Sequence, residues 1–446
     1  MALDEVPTTT PVEADELARR LEDARRRTLE LTADLQGERL FGPKLSIVNP
    51  PLWEVGHVGF FHDYFALRTL HGLDDYQVAD AESLYDSSSI DHDDRWELPL
   101  PDMATTRDYL DRVQQAMLSR LPDGGRADEA TSYVYQLTLL HEDMHGEAFT
   151  YTRQTLGYPA PELSAPAPPA PEGGGPLEGD VEVPGGEHVL GSGPEVPFRF
   201  DNEKQAHTVE VAPFAIARAP VINAEFAAFV DAGGYERREY WSEAGWAWRE
   251  QEGRTAPRYW QRDGVGNWQQ RVFDRVEPLA PHQPVCFVNV YEAEAYCAWA
   301  GRRLPTELEW EVAASRAPSA DGQSLAPGKR LLPWGDEPAP DAQRANLDGL
   351  RLGCVDVGAL PEGDSAFGCR QMLGNVWEWT ASRFDPFPGF RPDLYRDYSQ
   401  PWFPEGRRVL RGGGWPTRGR LIHNSHRNFF TPEREDIPTG FRTCAR

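Results

Sequence analysis

Two histidines one helical turn apart, His141 and His145, are the residues of this chain best placed to do chemistry. On a helix, positions i and i+4 share one face, so both imidazoles can reach one metal ion. With Glu142 beside the first, residues 141–145 also match the His-Glu-x-x-His pattern of zinc proteases, where the glutamate is a general base. The pattern fixes neither the metal nor the third ligand. A metzincin-type extension needs Gly at 148 and His at 151, where this chain has Ala148 and Tyr151, and Glu162 lies in a proline-rich stretch rather than on a helix. Upstream, Trp53-Glu54-Val55-Gly56-His57 offers His57 on an otherwise apolar helical face. Three imidazoles with no carboxylate suit Fe(II), Zn or Cu and leave positions open for substrate and oxygen. His57 alone also reads as a satisfied buried polar group, and Glu142 as a hydrogen-bond partner that orients a ligand. His62 and His92 read as surface or pocket histidines.

The elements that must position these residues follow from periodicity. Apolar residues at helical spacing mark 13–37, 53–71, 105–121 and 129–156. Pro51 fits a first-turn proline, and Gly157-Tyr158-Pro159 ends the last helix. These helices predict an antiparallel four-helix bundle, an architecture in which inward-facing side chains build metal sites. The composition then turns to alanine, proline and glycine, which cannot form a core and reads as a linker. Beyond it, short β-like runs (181–183, 208–211) alternate with helical stretches at 223–232, 291–300 and 306–316, an α+β texture. The expected division is a bundle with the metal histidines over 1–158, a linker over 159–178 and an α+β domain over 179–446.

Bulk properties narrow the function classes. The chain has 446 residues, 40% hydrophobic and 11% aromatic, enough for two domains with cores of their own. Its formal charge of −26 argues against nucleic-acid partners and anionic membrane surfaces. No apolar run approaches the roughly 18 residues of a membrane span. Residues 1–15 are acidic without an apolar stretch, so no secretory leader is expected. Five cysteines in no metal-like spacing read as reduced thiols, and a cytoplasmic location is expected.

The C-terminal half carries an ordered series of motifs. They are Tyr291-Glu292-Ala293-Glu294-Ala295-Tyr296-Cys297, then Gly301-Arg302-Arg303-Leu304-Pro305-Thr306-Glu307-Leu308-Glu309-Trp310-Glu311, then Pro333-Trp334-Gly335. Gly374-Asn375-Val376-Trp377-Glu378-Trp379, Leu410-Arg411-Gly412-Gly413-Gly414-Trp415 and Gly440-Phe441-Arg442 complete it. The series resembles the domain of formylglycine-generating enzymes, a C-type-lectin-like fold. Formylglycine formation itself is not expected, because the copper-binding cysteine pair of those oxidases has no counterpart between Trp415 and Arg427.

Fused to the histidine-bearing bundle, this domain makes the chain resemble the ergothioneine-biosynthetic sulfoxide synthases. The resemblance implies an α+β protein of two domains, a DinB-like four-helix bundle and a formylglycine-generating-enzyme-like, C-type-lectin-like domain. It implies Fe(II) held by His57, His141 and His145, with O2 as co-substrate. Hercynine, the trimethylbetaine of histidine, is the implied substrate, joined at imidazole C2 to a chalcogen. Tyr395 and Tyr398 match active-site tyrosines. A phenol at such a site is apt for supplying a proton, with Tyr395 the first candidate and Tyr85 the alternative. A quaternary ammonium is recognised by aromatic faces, which Trp377, Trp379, Trp415, Phe429 and Phe430 could offer, with Arg427 and Asn428 as polar contacts, although tryptophans in this fold are commonly core. Asn346 and Asn375 could bind a structural Ca²⁺ as in related domains, or simply form turns.

Two departures bear on the second substrate. Family members that use γ-glutamylcysteine carry an acidic residue where Phe430 stands and Gln where Met144 stands. Loss of both polar groups argues against that thiol. The stretches 84–88, 92–96 and 141–145 and the ending from Asn428 to Cys444 are most similar to the selenoneine synthases, which join hercynine to a selenosugar. The alternatives are an ergothioneine-type enzyme using cysteine or γ-glutamylcysteine, a zinc hydrolase built on His141, Glu142 and His145, and a binding module that has lost catalysis.

Overall fold

The computed structural model describes residues 9–171 and 173–446. They form two compact units: one holds the chain up to Ser164 together with Pro392–Tyr398, the other Ala165–Arg391 and Ser399–Arg446.

In the first unit the chain forms α1 (Ala14–Leu31), α2 (Pro51–His62), α3 (Ala81–Tyr85), α4 (Met103–Leu118) and α5 (Glu129–Leu156). α5 packs along α1 and α2, and α2 packs on α4, which gives the helical bundle. α5 has the limits expected from sequence because both ends carry local signals. Asp128 accepts a hydrogen bond from the Thr131 amide at 2.7 Å, and Gly157 takes the left-handed conformation (φ 66°) that closes the helix. α1 stops well short of residue 37. α2 starts at Pro51, and beyond His62 it widens into a π-helical stretch, Asp63–Leu70. Asp63 anchors that wide turn, its Oδ2 accepting from the Gln77 amide at 2.8 Å and Tyr109 Oη at 3.0 Å. Such turns are rare and occur often at functional sites.

The second unit is α+β. Its first part contains β1 (Asp180–Val183), β2 (Gly186–Leu190), β3 (His207–Val211), β4 (Phe214–Ala217), α6 (Asn223–Asp231) and α7 (Glu243–Glu252). β5 (Trp260–Arg262), β6 (Trp268–Val272), β7 (Arg275–Pro278), α8 (Val290–Ala300) and α9 (Glu307–Ser315) follow. β8 (Trp377–Arg383), β9 (Arg408–Arg411), β10 (Asn428–Phe430) and β11 (Thr439–Gly440) complete it. The main sheet has the order β10-β9-β8-β11, with β11 parallel to β8; β1 pairs with β4, β2 with β3, and β5-β6-β7 form a meander. The meander escaped the sequence reading because every residue of β6 is half-buried, so no two-residue alternation marks it.

The recurrent motifs meet as buried ion pairs. Trp310 Nε1 donates to Glu378 Oε2 at 2.9 Å, and Arg442 grips the same carboxylate through Nε and Nη2, both at 2.7 Å. Arg411 bridges Glu307 at 2.7 Å and Glu311 at 2.9 Å. Charges this deep persist only when paired. Trp377 and Trp379, expected as candidate faces for an ammonium, are enclosed in this core. Trp379 Nε1 is bonded to the Val288 carbonyl at 2.8 Å, so these two rings serve packing.

Candidate metal centre

Three imidazoles converge inside the helical unit. α2 contributes His57, and one face of α5 contributes His141 and His145; one ligand atom from each lies within 4.8 Å of the others. The ring centroids are 4.5 Å apart for His141–His145, 5.0 Å for His57–His145 and 5.3 Å for His57–His141. Aromatic neighbours hold two of the rings. Trp53 stacks on His57 at 4.9 Å, and Phe61 lies flat on His141 at 3.5 Å.

The outward nitrogens decide whether the set fits a metal. His57 Nδ1 donates to the Tyr85 main-chain oxygen at 2.8 Å, and His145 Nδ1 donates to Glu54 Oε1 at 2.6 Å. A carbonyl or a carboxylate only accepts, so both rings carry a proton on Nδ1 and leave Nε2 as the nitrogen available to a metal. Gly56 makes the first contact possible. A Cβ there would come within 2.1 Å of the Tyr85 ring, so only glycine lets that residue press against α2 and set its carbonyl beneath His57. Burial, reinforced by the nearby His145, pulls His57 down to about 3. Burial, then His145 and His57, holds His141 well below the ordinary histidine range. Neutral imidazoles at neutral pH are what a divalent transition metal requires. The donors therefore fit one, with proton acceptors behind two of the three rings.

Glu142 does not serve as a general base at this centre. Its carboxylate takes Arg25 Nε at 2.9 Å, Thr28 Oγ1 at 2.8 Å and lies 2.9 Å from His62 Nε2, all deep in the bundle. Burial alone would raise the Glu142 carboxyl, but Arg25 and His62 outweigh it and hold it far below the usual range. His62 is thus a core residue rather than a surface or pocket histidine. His92 lies half-buried, with its Nε2 2.9 Å from the Val48 carbonyl oxygen.

The segment Pro392–Tyr398 brings its tyrosines to the same unit. Tyr395 packs edge-on against Phe61 at 4.9 Å, Phe65 at 5.6 Å and His141 at 6.0 Å. Tyr398 Oη lies 3.9 Å from Met144 Sδ. Tyr85 contributes differently: its hydroxyl meets Thr106 on α4, and its main-chain oxygen is what touches the centre.

The DinB superfamily matches residues 20–150, and the sulfatase-modifying factor enzyme 1-like domain matches residues 166–446. The hercynine oxygenase of Mycolicibacterium thermoresistibile is 41% identical over 444 residues, covering 96% of this chain and 94% of that protein. That of Mycobacterium tuberculosis is 39% identical, covering 96% and 98%. The formylglycine-generating enzyme of Streptomyces coelicolor is 32% identical over 64% of this chain and 96% of its own length. The chain belongs to the hercynine oxygenase family. It is an oxidoreductase with a DinB-like helical unit and a formylglycine-generating-enzyme-like unit.

In this family member the other expected contacts lie in the second unit, and several are committed to packing. Arg427 is buried, with Nε 2.6 Å from Glu307 Oε1, Nη1 2.9 Å from the Asn202 carbonyl and Nη2 3.1 Å from that of Asp385. It is an ion-pair residue of the core, which replaces the expected substrate contact. Phe429 stacks on Phe384 at 3.9 Å, and Trp415 is buried beside Phe273. Asn428 turns its Oδ1 to the Phe429 amide at 2.8 Å, and Arg434 covers the half-buried Phe430 at 5.0 Å.

Two further clusters bring together groups of the kind that bind cations. Asn375 Oδ1 accepts from Asn346 Nδ2 and the Val355 amide, both at 2.9 Å, and Asn375 adopts φ 69°. Asn375 Oδ1 is thereby engaged in holding a turn, whereas Asn346 Oδ1 is buried with no hydrogen-bond partner. Glu203 lies 3.0 Å from His423 Nε2 and 3.1 Å from His426 Nδ1, all buried. His423 Nδ1 accepts from the Ser425 amide at 3.3 Å, which fixes the proton on Nε2, facing Glu203. That tautomer makes the cluster a closed hydrogen-bond network.

Sequence reasoning overlooked Glu54 and Phe61. Glu54 had a signal: it stands three residues before His57, on the same helical face. Phe61 had none, since its stacking on His141 depends on how α2 meets α5.

Proposed function

We propose that this chain joins a chalcogen to C2 of the hercynine imidazole, using Fe(II) held by His57, His141 and His145 and O2 as co-substrate, with a selenosugar as donor. The convergence of three imidazoles beside Tyr395, two of them anchored through Nδ1, carries this reading, in a chain 41% identical along nearly its whole length to a hercynine oxygenase. With a selenol donor the reaction breaks the C2–H and Se–H bonds, forms C–Se and Se=O, and releases water, so the four electrons match the reduction of O2. When bound, iron would supply O2 activation and bring the reactants together. Burial keeps His57 and His141 neutral, the Tyr85 carbonyl and Glu54 aim His57 and His145, and Tyr395 holds a phenolic proton next to His141. Met144 and Tyr398 make a soft, weakly polar wall that suits a sugar selenolate better than the carboxylates of a γ-glutamyl thiol.

A sulfur donor, cysteine or γ-glutamylcysteine, is the second reading, favoured by the near-full-length similarity to hercynine oxygenases. The zinc-hydrolase reading is disfavoured because Glu142 is occupied by Arg25. The test offers anaerobic Fe(II)-loaded protein hercynine together with γ-glutamylcysteine, cysteine and a selenosugar, then admits air and reads products by mass spectrometry. The selenosugar adduct should dominate. Exclusive γ-glutamylcysteine adduct would move the chain to the sulfur reading, and no hercynine-derived adduct would overturn both.

A further inference from the structure

We infer that Glu54 is a positioning residue whose negative charge is coupled to the bound metal through His145; this rests on the three-histidine reading above. Glu54 sits on α2 and is buried to 1% exposure. One carboxylate oxygen takes the His145 Nδ1 proton at 2.6 Å, and the other, Oε2, is buried with no hydrogen-bond partner. Arg95 interacts with Glu54 through charge, while its guanidinium lies over the Trp53 ring at 4.1 Å and donates Nη1 to Asn49 Oδ1 at 2.6 Å. A buried carboxylate with an orphaned oxygen is a costly anion.

The three imidazoles also differ in what stands behind them. His57 has a neutral carbonyl, His141 has no partner at its buried Nδ1, and His145 alone has an anion. An acceptor behind a metal-bound imidazole raises its basicity, and an anion does so most. A dication at the histidines would in turn offset the charge of Glu54 across one ring. The same residue thus burdens the metal-free fold and strengthens the metal-bound one. A carboxylate that merely stabilised the bundle would favour both states alike.

The Glu54→Gln variant keeps an oxygen acceptor for His145 and removes the charge, so it separates the two roles. Metal affinity is measured anaerobically, with Fe(II) by chelator competition and with Co(II) by visible absorption, and the melting temperature is read with and without metal. We expect the variant to bind both ions about 10- to 100-fold more weakly, and to melt at or above the wild-type temperature when metal-free. Glu54→Asp, which keeps the charge, should recover part of the affinity. Wild-type affinity in Glu54→Gln, or a lowered metal-free melting temperature with unchanged affinity, overturns the inference. If the wild-type protein binds neither ion, the three-histidine reading itself fails, which is a separate outcome.

Discussion

Tyr398 and Met144 meet although 254 residues separate them in the chain, the phenolic oxygen lying 3.9 Å from the thioether sulfur. Met144 precedes His145 on α5, so this contact stands directly beside the three-histidine cluster. A thioether is a weak acceptor that offers no anchor to a carboxylate. Met144→Gln introduces one. The ratio of kcat/KM for γ-glutamylcysteine to that for a selenosugar should rise about 10-fold, the scale of one added polar contact. An unchanged ratio would remove Met144 from donor selection.

The two candidate phenols should behave differently. Tyr395 packs against His141, whereas the Tyr85 hydroxyl reaches Thr106 and only its main-chain oxygen serves the centre. Tyr395→Phe should slow product formation by about 10²-fold, the lower end for a positioned proton donor, with metal affinity unchanged. Tyr85→Phe should leave the rate within a few-fold of wild type. Single-turnover kinetics on both variants decides the assignment.

Glu142 is expected to matter for folding rather than chemistry. Removing its carboxylate strands the Arg25 guanidinium, which is itself buried. Glu142→Ala should cost on the order of 3–5 kcal/mol of stability. Denaturant unfolding measures the loss, and a general base would instead show full stability with abolished turnover.

The second unit carries a pH dependence of its own. Burial, and then the neighbouring Glu435, push Glu292 up from 4.5 to about 8. A raised carboxyl means that the folded state holds the proton more tightly than the unfolded chain. Its contribution is therefore fully present below about pH 4.5 and is lost as pH rises through about 8, by a few kcal/mol in all. Glu292→Gln, which mimics the protonated form, should flatten the melting temperature between pH 5 and 8.5 relative to wild type, as about one lost titration predicts. Parallel profiles for the two proteins would contradict this.

Much of the centre was legible in the sequence because its signals are local. α5 announces itself by periodicity and by Asp128 and Gly157 at its ends, and the spacing of His141 and His145 needs nothing beyond a helix. Trp379 and Arg427 are harder to read for the opposite reason. A tryptophan or arginine in a motif looks the same whether it packs or binds, and only the partners, the Val288 carbonyl for Trp379 or Glu307 for Arg427, reveal packing. The Pro392–Tyr398 segment joining the helical unit is likewise invisible locally, since nothing in its composition says which unit it completes.

The most direct test of the central claim is metal analysis coupled to oxygen consumption. Metal-free protein is reconstituted anaerobically with Fe(II) or with Zn(II), given hercynine and donor, and followed with an oxygen electrode and mass spectrometry. The account predicts about one bound metal per chain through the three-histidine centre, with O2 uptake and a C2 adduct from the iron form alone, both abolished in His57→Ala. A zinc form that hydrolyses substrate without consuming O2, or undiminished turnover in His57→Ala, would contradict it.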